Sequence, residues 1–78
     1  MDRKEELKKF GDKIKEVRES KGLTQSQLAH KINKDRESIA RLERGGINPT
    51  FLYLKEVCEG LEMTLAELFN QIESQDES

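Results

Sequence analysis

Charged side chains recur between residues 36 and 44 at the spacing of one helix face. Arg36 and Glu37 are adjacent, and Arg41 follows about one turn later. An arginine can donate two hydrogen bonds to guanine O6 and N7. A glutamate can accept one from cytosine N4, or repel phosphates and so limit non-specific binding. The candidate base-reading residues for double-stranded DNA are therefore Arg36, Glu37 and Arg41, on an outer face predicted to comprise Arg36, Glu37, Ala40, Arg41 and Arg44.

Polar side chains on both sides of this helix could contact DNA phosphates. Gln25 opens the preceding helix, where unpaired backbone N–H groups favour an anion. Lys34 adds positive charge before the helix, and Arg44 and Asn48 follow at its other end. The candidate phosphate-contacting residues are Thr24, Gln25, Lys34, Arg44 and Asn48. An ordinary solvated helix face can have a similar composition, so the elements that position these residues must be considered as well.

Two short helices only a few residues apart carry these side chains. Thr24 with Gln27 three residues later is a capping box, which opens the first of them. Asp35 is a preferred N-cap for the second, which is predicted to run to about residue 44. Asn33 lies in the turn between them and tolerates a left-handed backbone. Residues 24–44 are therefore predicted to form a helix-turn-helix.

The apolar residues at helical spacing predict three further helices and hence an all-α, five-helix fold. The first runs from about residue 4 to 21 and contains Gly11, which permits either close packing or a later helix start. Thr50 caps the fourth helix, and the Thr64–Glu67 capping box opens a fifth through about Glu73. The inner face predicted for the fourth helix is formed by Phe51, Leu54, Val57, Cys58 and Leu61.

The charge of the chain is divided unevenly between its two halves. Residues 1–49 carry a net charge of +4 and residues 50–78 one of −6, which gives the overall −2. Because DNA affinity depends on local phosphate contacts, the basic half could face DNA although the whole chain is acidic. We predict one domain over residues 1–73 and a frayed acidic tail over residues 74–78. A core this small favours a dimer.

Several classes of site find no support in the sequence. Cys58 is the only cysteine, and His30 has no second histidine or cysteine nearby, so no metal site is predicted. The serines lack a partnered base, so we expect neither an enzyme nor a cofactor. We expect no second effector domain and therefore no small-molecule ligand. The sequence has no signal peptide and no apolar run long enough for a membrane, which predicts a cytoplasmic protein.

Five motifs together resemble the lambda-repressor/Cro-type helix-turn-helix family, also called the Xre family. The first two are G-x-x-I-x-x-x-R at residues 11–18 and G-L-T-Q-x-x-L-A at residues 22–29. The others are S-I-x-x-L-E-x-G at residues 38–45, N-P-T at residues 48–50 and L-x-E-L-F at residues 65–69. Two positions depart from the family pattern, since Asn33 and Glu62 stand where glycine is common. The departure at Glu62 concerns the corner after the fourth helix.

The resemblance implies a two-fold dimer on a pseudo-palindromic operator, with the third helix in the major groove. By position it implies phosphate contact by Gln25 and Arg44, and a structural ion pair between Arg18 and Glu43 that links the first helix to the third. The dimer is expected to use the acidic C-terminal half. Its candidate interface residues are Leu65, Phe69 and Ile72, for each of which burial in the core is the alternative.

The sequence leaves the regulatory role open. A stand-alone repressor or activator, a restriction–modification controller protein and an antitoxin all fit, and the compact length resembles controller proteins. If the protein activates transcription, the acidic fourth helix could contact RNA polymerase. A different class of function is a protein-interaction module that has lost DNA binding and uses the surface at Leu52 and Tyr53. The basic residues at positions 36, 41 and 44 argue against that module.

Overall fold

The computed structural model describes residues 2–76, which form an all-α fold. Within this span there are five helices and no strand, as predicted. The helices are α1 (Arg3–Ser20), α2 (Gln25–Lys31), α3 (Arg36–Glu43), α4 (Phe51–Gly60) and α5 (Leu65–Asp76).

Local side-chain hydrogen bonds define where the short helices begin. The Thr24 hydroxyl accepts a hydrogen bond from the Gln27 backbone N–H at 3.0 Å, and the Gln27 side chain accepts one from the Thr24 N–H at 2.8 Å. The Asp35 carboxylate accepts one from the Ser38 N–H at 2.8 Å. These caps satisfy backbone donors that the first turn of a helix leaves unpaired. The predicted starts of α2 and α3 are confirmed.

Two turns require a left-handed backbone at residues other than glycine. Asn33 has φ of 62° in the turn between α2 and α3, as its type predicts. Glu62 has φ of 58° after α4, so this corner keeps the left-handed geometry without glycine. A left-handed conformation at a non-glycine residue costs roughly 1–3 kcal/mol, which the surrounding structure must offset.

All five helices contribute side chains to one hydrophobic core. The buried apolar residues of this core are Ile14, Val17, Leu28, Ala29, Ile39, Leu42, Val57, Cys58, Leu61 and Leu68. Because α2 and α3 each bury one face here, the opposite face of α3 is held outward by the rest of the fold. Among residues 2–76, no helix is long and apolar enough to cross a membrane.

Three details differ from the sequence prediction. Phe51 is 66% exposed rather than on the inner face of α4, since burial on this helix begins only with the half-buried Tyr53 and Leu54. Ala40 is buried rather than on the outer face of α3, since it shares a helix face with Glu43 three residues later, which is also buried. Helix α5 continues to Asp76, beyond the predicted end at residue 73. Residues 77 and 78 of the predicted tail lie outside the described residues.

Candidate nucleic-acid interface

The outer face of α3 presents the three residues predicted to read bases. Arg36, Glu37 and Arg41 are all exposed, whereas Ile39 and Leu42 on the opposite face are buried. Arg36 is the first residue of α3, so its side chain starts from the N-terminal end of this helix, next to the turn from α2. This arrangement can hold donors and an acceptor toward base edges in a groove.

Gln25 connects the start of α2 with both ends of α3. Its amide oxygen accepts a hydrogen bond from Arg36 Nη1 at 3.1 Å. Its amide nitrogen donates to Glu43 Oε1 at 3.0 Å. Because both ends of the amide are bonded, the orientation of the half-buried Gln25 side chain is determined, and Arg36 is held by a positioned acceptor.

Arg18 and Glu43 form the ion pair that the family resemblance implies. Arg18 Nε donates to Glu43 Oε2 at 2.7 Å, and Nη2 donates to Oε1 at 3.1 Å. The two side chains are only 7% and 4% exposed. Arg18 Nη1 also donates to the Leu23 carbonyl at 2.7 Å. Hydrogen bonding to Glu43 raises the pKa of Arg18 even though burial opposes it, so the guanidinium stays charged.

These contacts form a continuous chain of hydrogen bonds from α1 to the first residue of α3. Arg18 donates to Glu43, Gln25 donates to the same carboxylate, and Arg36 donates to Gln25. Sequence reasoning identified each residue but missed the link through Gln25. Gln25 begins α2, at the end of that helix away from the turn, so no signal in the sequence alone showed that it meets Arg36.

Gly11 allows the backbone of α1 to approach the end of α3. A Cβ atom at this position would lie 2.5 Å from the Glu43 carbonyl oxygen and 2.6 Å from that of Leu42. Real Cβ atoms do not come this close to backbone oxygens. Of the two alternatives for Gly11, close packing is therefore correct, and α1 continues through this residue.

Arg44, the C-cap of α3, and Glu37, in the first turn of this helix, pair on its exposed surface. Arg44 Nη2 lies 3.4 Å from Glu37 Oε1, and both side chains are about half exposed or more. An exposed pair of this length contributes little to stability, about 0–1 kcal/mol. Both groups therefore remain available to exchange this contact for one with DNA.

The other predicted phosphate-contacting residues have different surroundings. Lys34 Nζ lies 3.4 Å from the Glu56 carboxylate, so this lysine pairs with α4. Thr24 accepts the capping hydrogen bond of α2 through its hydroxyl. Asn48 is exposed in the link between α3 and α4. Direct phosphate contact by these three residues stays a prediction.

The predicted dimer residues lie on α5 with unequal exposure. Leu65 and Ile72 are half-buried and pack against the core, whereas Phe69 is 43% exposed. The Phe69 ring lies 6.2 Å from the Phe10 ring, centroid to centroid. Two more apolar side chains are exposed, Phe51 at 66% and Leu52 at 67%. Neither was predicted as a dimer residue, although Leu52 belongs to the surface considered for a protein-interaction module.

Groups that could support other chemistry are not assembled in the described part of the chain. Among residues 2–76, no cluster of three or more histidine, cysteine, aspartate or glutamate side chains could hold a metal ion. Cys58 is buried, and that burial raises the pKa of its thiol. His30 is exposed on α2.

A family model described as Helix-turn-helix, HTH_3, matches residues 14–68, which is more than half of the chain. The chain belongs to this helix-turn-helix family. The resemblance inferred from the sequence motifs is thereby confirmed, as is the general class of a DNA-binding transcription regulator. The match includes Arg18, Gln25, Arg36 and Glu43, so the whole hydrogen-bonded chain lies within the helix-turn-helix domain.

Similar members of the helix-turn-helix family include restriction–modification controller proteins. Control protein C.MunI from Mycoplasma sp is 37% identical over 68 residues, which cover 86% of this chain and 92% of the relative. The controller protein C.Esp1396I, solved as a tetramer with its natural 35 base-pair operator, superposes with a TM-score of 0.85 at 35% identity. That match covers 92% of this chain and 95% of the other.

A second controller protein has nearly the same fold. C.AhdI from Aeromonas hydrophila has a TM-score of 0.82 and 32% identity, over 87% of this chain and 99% of its own. The helix-turn-helix chain described here therefore shares its helical arrangement with these controller proteins over most of its residues.

Proposed function

We propose that this protein is a homodimeric transcription regulator that binds a pseudo-palindromic operator in double-stranded DNA. Helix α3 enters the major groove, with Arg36, Glu37 and Arg41 reading base edges. The observation that carries the proposal is the hydrogen-bonded chain behind Arg36, which ends in the buried Arg18–Glu43 pair. A base-reading arginine that is held in place before binding loses less conformational freedom when it binds.

Arg36 is assigned to guanine because its guanidinium lies at the N-terminal end of α3. Its contact with Gln25 uses Nη1 and leaves its other nitrogens available for the paired donation that guanine O6 and N7 accept. Glu37 and Arg41 on the same face would discriminate neighbouring base pairs. Gln25, Arg44, Asn48, Thr24 and Lys34 would set the register of the protein on the phosphates.

The division of charge supports an interface on the basic half of the molecule. Residues 1–49, which contain α1, α2 and α3, carry +4, whereas residues 50–78 carry −6. The acidic part would be repelled by the phosphate backbone, so it faces away from DNA in this proposal. Binding should weaken with rising salt concentration, because each phosphate contact releases condensed counterions.

Dimerisation would place two α3 helices in successive major grooves about 34 Å apart. Exposed Phe69 on α5, with Leu65 and Ile72 beside it along the helix, supports an interface in the acidic half. Such an interface leaves the basic half of each protomer free to contact DNA. The two-fold symmetry of the dimer then requires an operator whose half-sites are inverted repeats.

Within this function, the role of a restriction–modification controller has the most support. C.MunI and C.Esp1396I are controller proteins, and this chain is 37% and 35% identical to them over most of its length. The proposal includes no catalytic step and no cofactor, and it places the protein in the cytoplasm with its DNA. Contact between the acidic surface of α4 and RNA polymerase is a further part of the proposal for the case of an activator.

Selection from a random double-stranded DNA library tests the proposal. We expect the full-length protein to enrich an inverted repeat whose half-sites are about one helical turn apart. Sedimentation of the protein alone and with the enriched DNA should show two protomers per operator. Lack of enrichment would contradict operator binding and favour a protein-interaction module, whereas enrichment of a single half-site by a monomer would contradict the dimer.

A further inference from the structure

Lys34, in the turn between α2 and α3, is held by two groups of α4. Its Nζ lies 3.4 Å from the Glu56 carboxylate and 5.8 Å from the centroid of the Tyr53 ring. The second distance is within the range of a cation–π contact. Because both contacts come from one helix, the lysine side chain extends from the turn toward α4, which belongs to the acidic half of the molecule.

The pair of Lys34 and Glu56 is less exposed than the pair that Arg44 makes at the other end of α3. Arg44 lies at the same distance of 3.4 Å from Glu37, but its side chain is 61% exposed, against 37% for Lys34. Lys34 also has the Tyr53 ring as a second contact. Partial removal of water strengthens the attraction between two charges. Of these two cations, Lys34 is therefore the more firmly held within the chain.

The position of Lys34 in the chain makes its charge relevant to DNA. It precedes by two residues Arg36, which begins α3. A free cation at this place would attract the phosphates of any DNA that α3 approaches, whatever its sequence. Glu56 offsets this charge within the molecule. The acidic half, which carries −6 over residues 50–78, thus places one carboxylate beside the helix-turn-helix.

We propose that Glu56 limits the binding of this protein to DNA of any sequence, because it holds Lys34 and offsets its charge. The inference rests on the proposed function, since it requires the turn before α3 to lie near the phosphate backbone. In the wild-type protein Lys34 then contributes less to phosphate binding than an unpaired lysine would. Weak binding to random DNA favours a regulator, because random sites far outnumber the operator.

The test compares Glu56→Gln, Lys34→Gln and the double variant in the full chain, by fluorescence anisotropy on a random duplex at several salt concentrations. We expect Glu56→Gln to bind random DNA about twofold to fivefold more tightly than wild type, as the strength of a surface ion pair allows. Its affinity should also fall more steeply as the salt concentration rises. Lys34→Gln should weaken binding by less than about twofold, and in its background Glu56→Gln should change affinity by less than about twofold.

Glu59→Gln is the matched control, because Glu59 is exposed on α4 three residues after Glu56 and the substitution removes the same charge. It should change the affinity for random DNA by less than about twofold. An unchanged affinity of Glu56→Gln, an equal gain for Glu59→Gln, or a gain that persists without Lys34 would each overturn the inference. Because the probe is random DNA, failure to enrich an operator would contradict the proposed function alone. A wild-type protein that binds no DNA would contradict both.

Discussion

Arg18 of α1 and Glu43 of α3 are joined by two hydrogen bonds, of 2.7 and 3.1 Å, in a site where both side chains are almost fully buried. The carboxylate also accepts from Gln25, which in turn accepts from Arg36. Structural stability and the proposed reading of DNA by Arg36 therefore depend on one carboxylate. Changes at Glu43 should affect both, whereas changes at Arg36 should affect reading alone.

Glu43→Gln should destabilise the fold by about 3–5 kcal/mol, because it leaves the Arg18 cation buried without its counter-charge. The measurement is urea unfolding at neutral pH. Glu37→Gln is the matched control, since it removes a carboxylate from the exposed pair with Arg44 and should cost less than about 1 kcal/mol. Similar losses of unfolding free energy for Glu43→Gln and Glu37→Gln would show that burial of the Arg18–Glu43 pair does not increase the cost of removing a carboxylate.

Gly11→Ala should destabilise the protein, although alanine is the better helix former by about 1 kcal/mol. The added Cβ would meet the backbone oxygens of Leu42 and Glu43, which cannot move without shifting the end of α3. We expect a net loss of about 1–3 kcal/mol in thermal or urea unfolding.

Gly22→Ala serves as the comparison for Gly11→Ala. A Cβ at Gly22 meets nothing within 4 Å, but the residue has φ of +73°. Its cost of about 1 kcal/mol should therefore come from the backbone conformation alone. Only Gly11→Ala should also weaken operator binding, because it displaces α3. A more stable Gly11→Ala variant would show that α1 and α3 are less closely packed than described.

Arg36→Ala should lower affinity for the enriched operator by about 1–3 kcal/mol and relax the preference at one base pair. Binding to random DNA should change little, since the lost contact is to a base edge. Fluorescence anisotropy on operator and random duplexes at one salt concentration measures both. Equal losses on the two duplexes would assign Arg36 to phosphate contact instead.

Gln25→Ala is expected to have two effects. From the sequence, loss of a phosphate contact should weaken binding to every DNA alike. The hydrogen bond from Arg36 to Gln25 adds a second effect, because Arg36 loses its positioned acceptor and operator preference should fall as well. The double variant with Arg36→Ala should therefore deviate from additivity by about 0.5 kcal/mol or more on the operator. Strict additivity would show that the contact has no role in reading.

The Asp35 carboxylate should make stability depend on pH in acid. Its hydrogen bond from the Ser38 backbone N–H lowers its pKa in the folded state. Because the folded pKa lies below the unfolded value of about 4, the stabilisation is present above that value and is lost as pH falls through the folded pKa. Asp35→Asn keeps a capping oxygen without the charge. The difference between its midpoint temperature of thermal unfolding and that of the wild type should therefore shrink below about pH 4. If the difference in midpoint temperature did not depend on pH, the charge of the Asp35 carboxylate would not be the source of the stabilisation.

Local sequence alone determined the helix starts and the turn of the helix-turn-helix. The Thr24–Gln27 capping box, the Asp35 cap and the left-handed Asn33 depend on atoms within three residues, so residue type and spacing were sufficient to predict them. The outward face of α3 followed from helical periodicity except at Ala40, which is buried. The pair of Arg18 and Glu43 could be predicted only through the motifs that resemble the family.

Tertiary structure alone decided which side chains of different helices meet. The contact of Gln25 with both Arg36 and Glu43, the pairing of Lys34 with Glu56 and the exposure of Phe51 depend on how helices pack. Helical periodicity places a residue on a face within its own helix. It does not tell which neighbouring helix covers that face, or at which position along the helix axis, because both depend on the packing of the whole core.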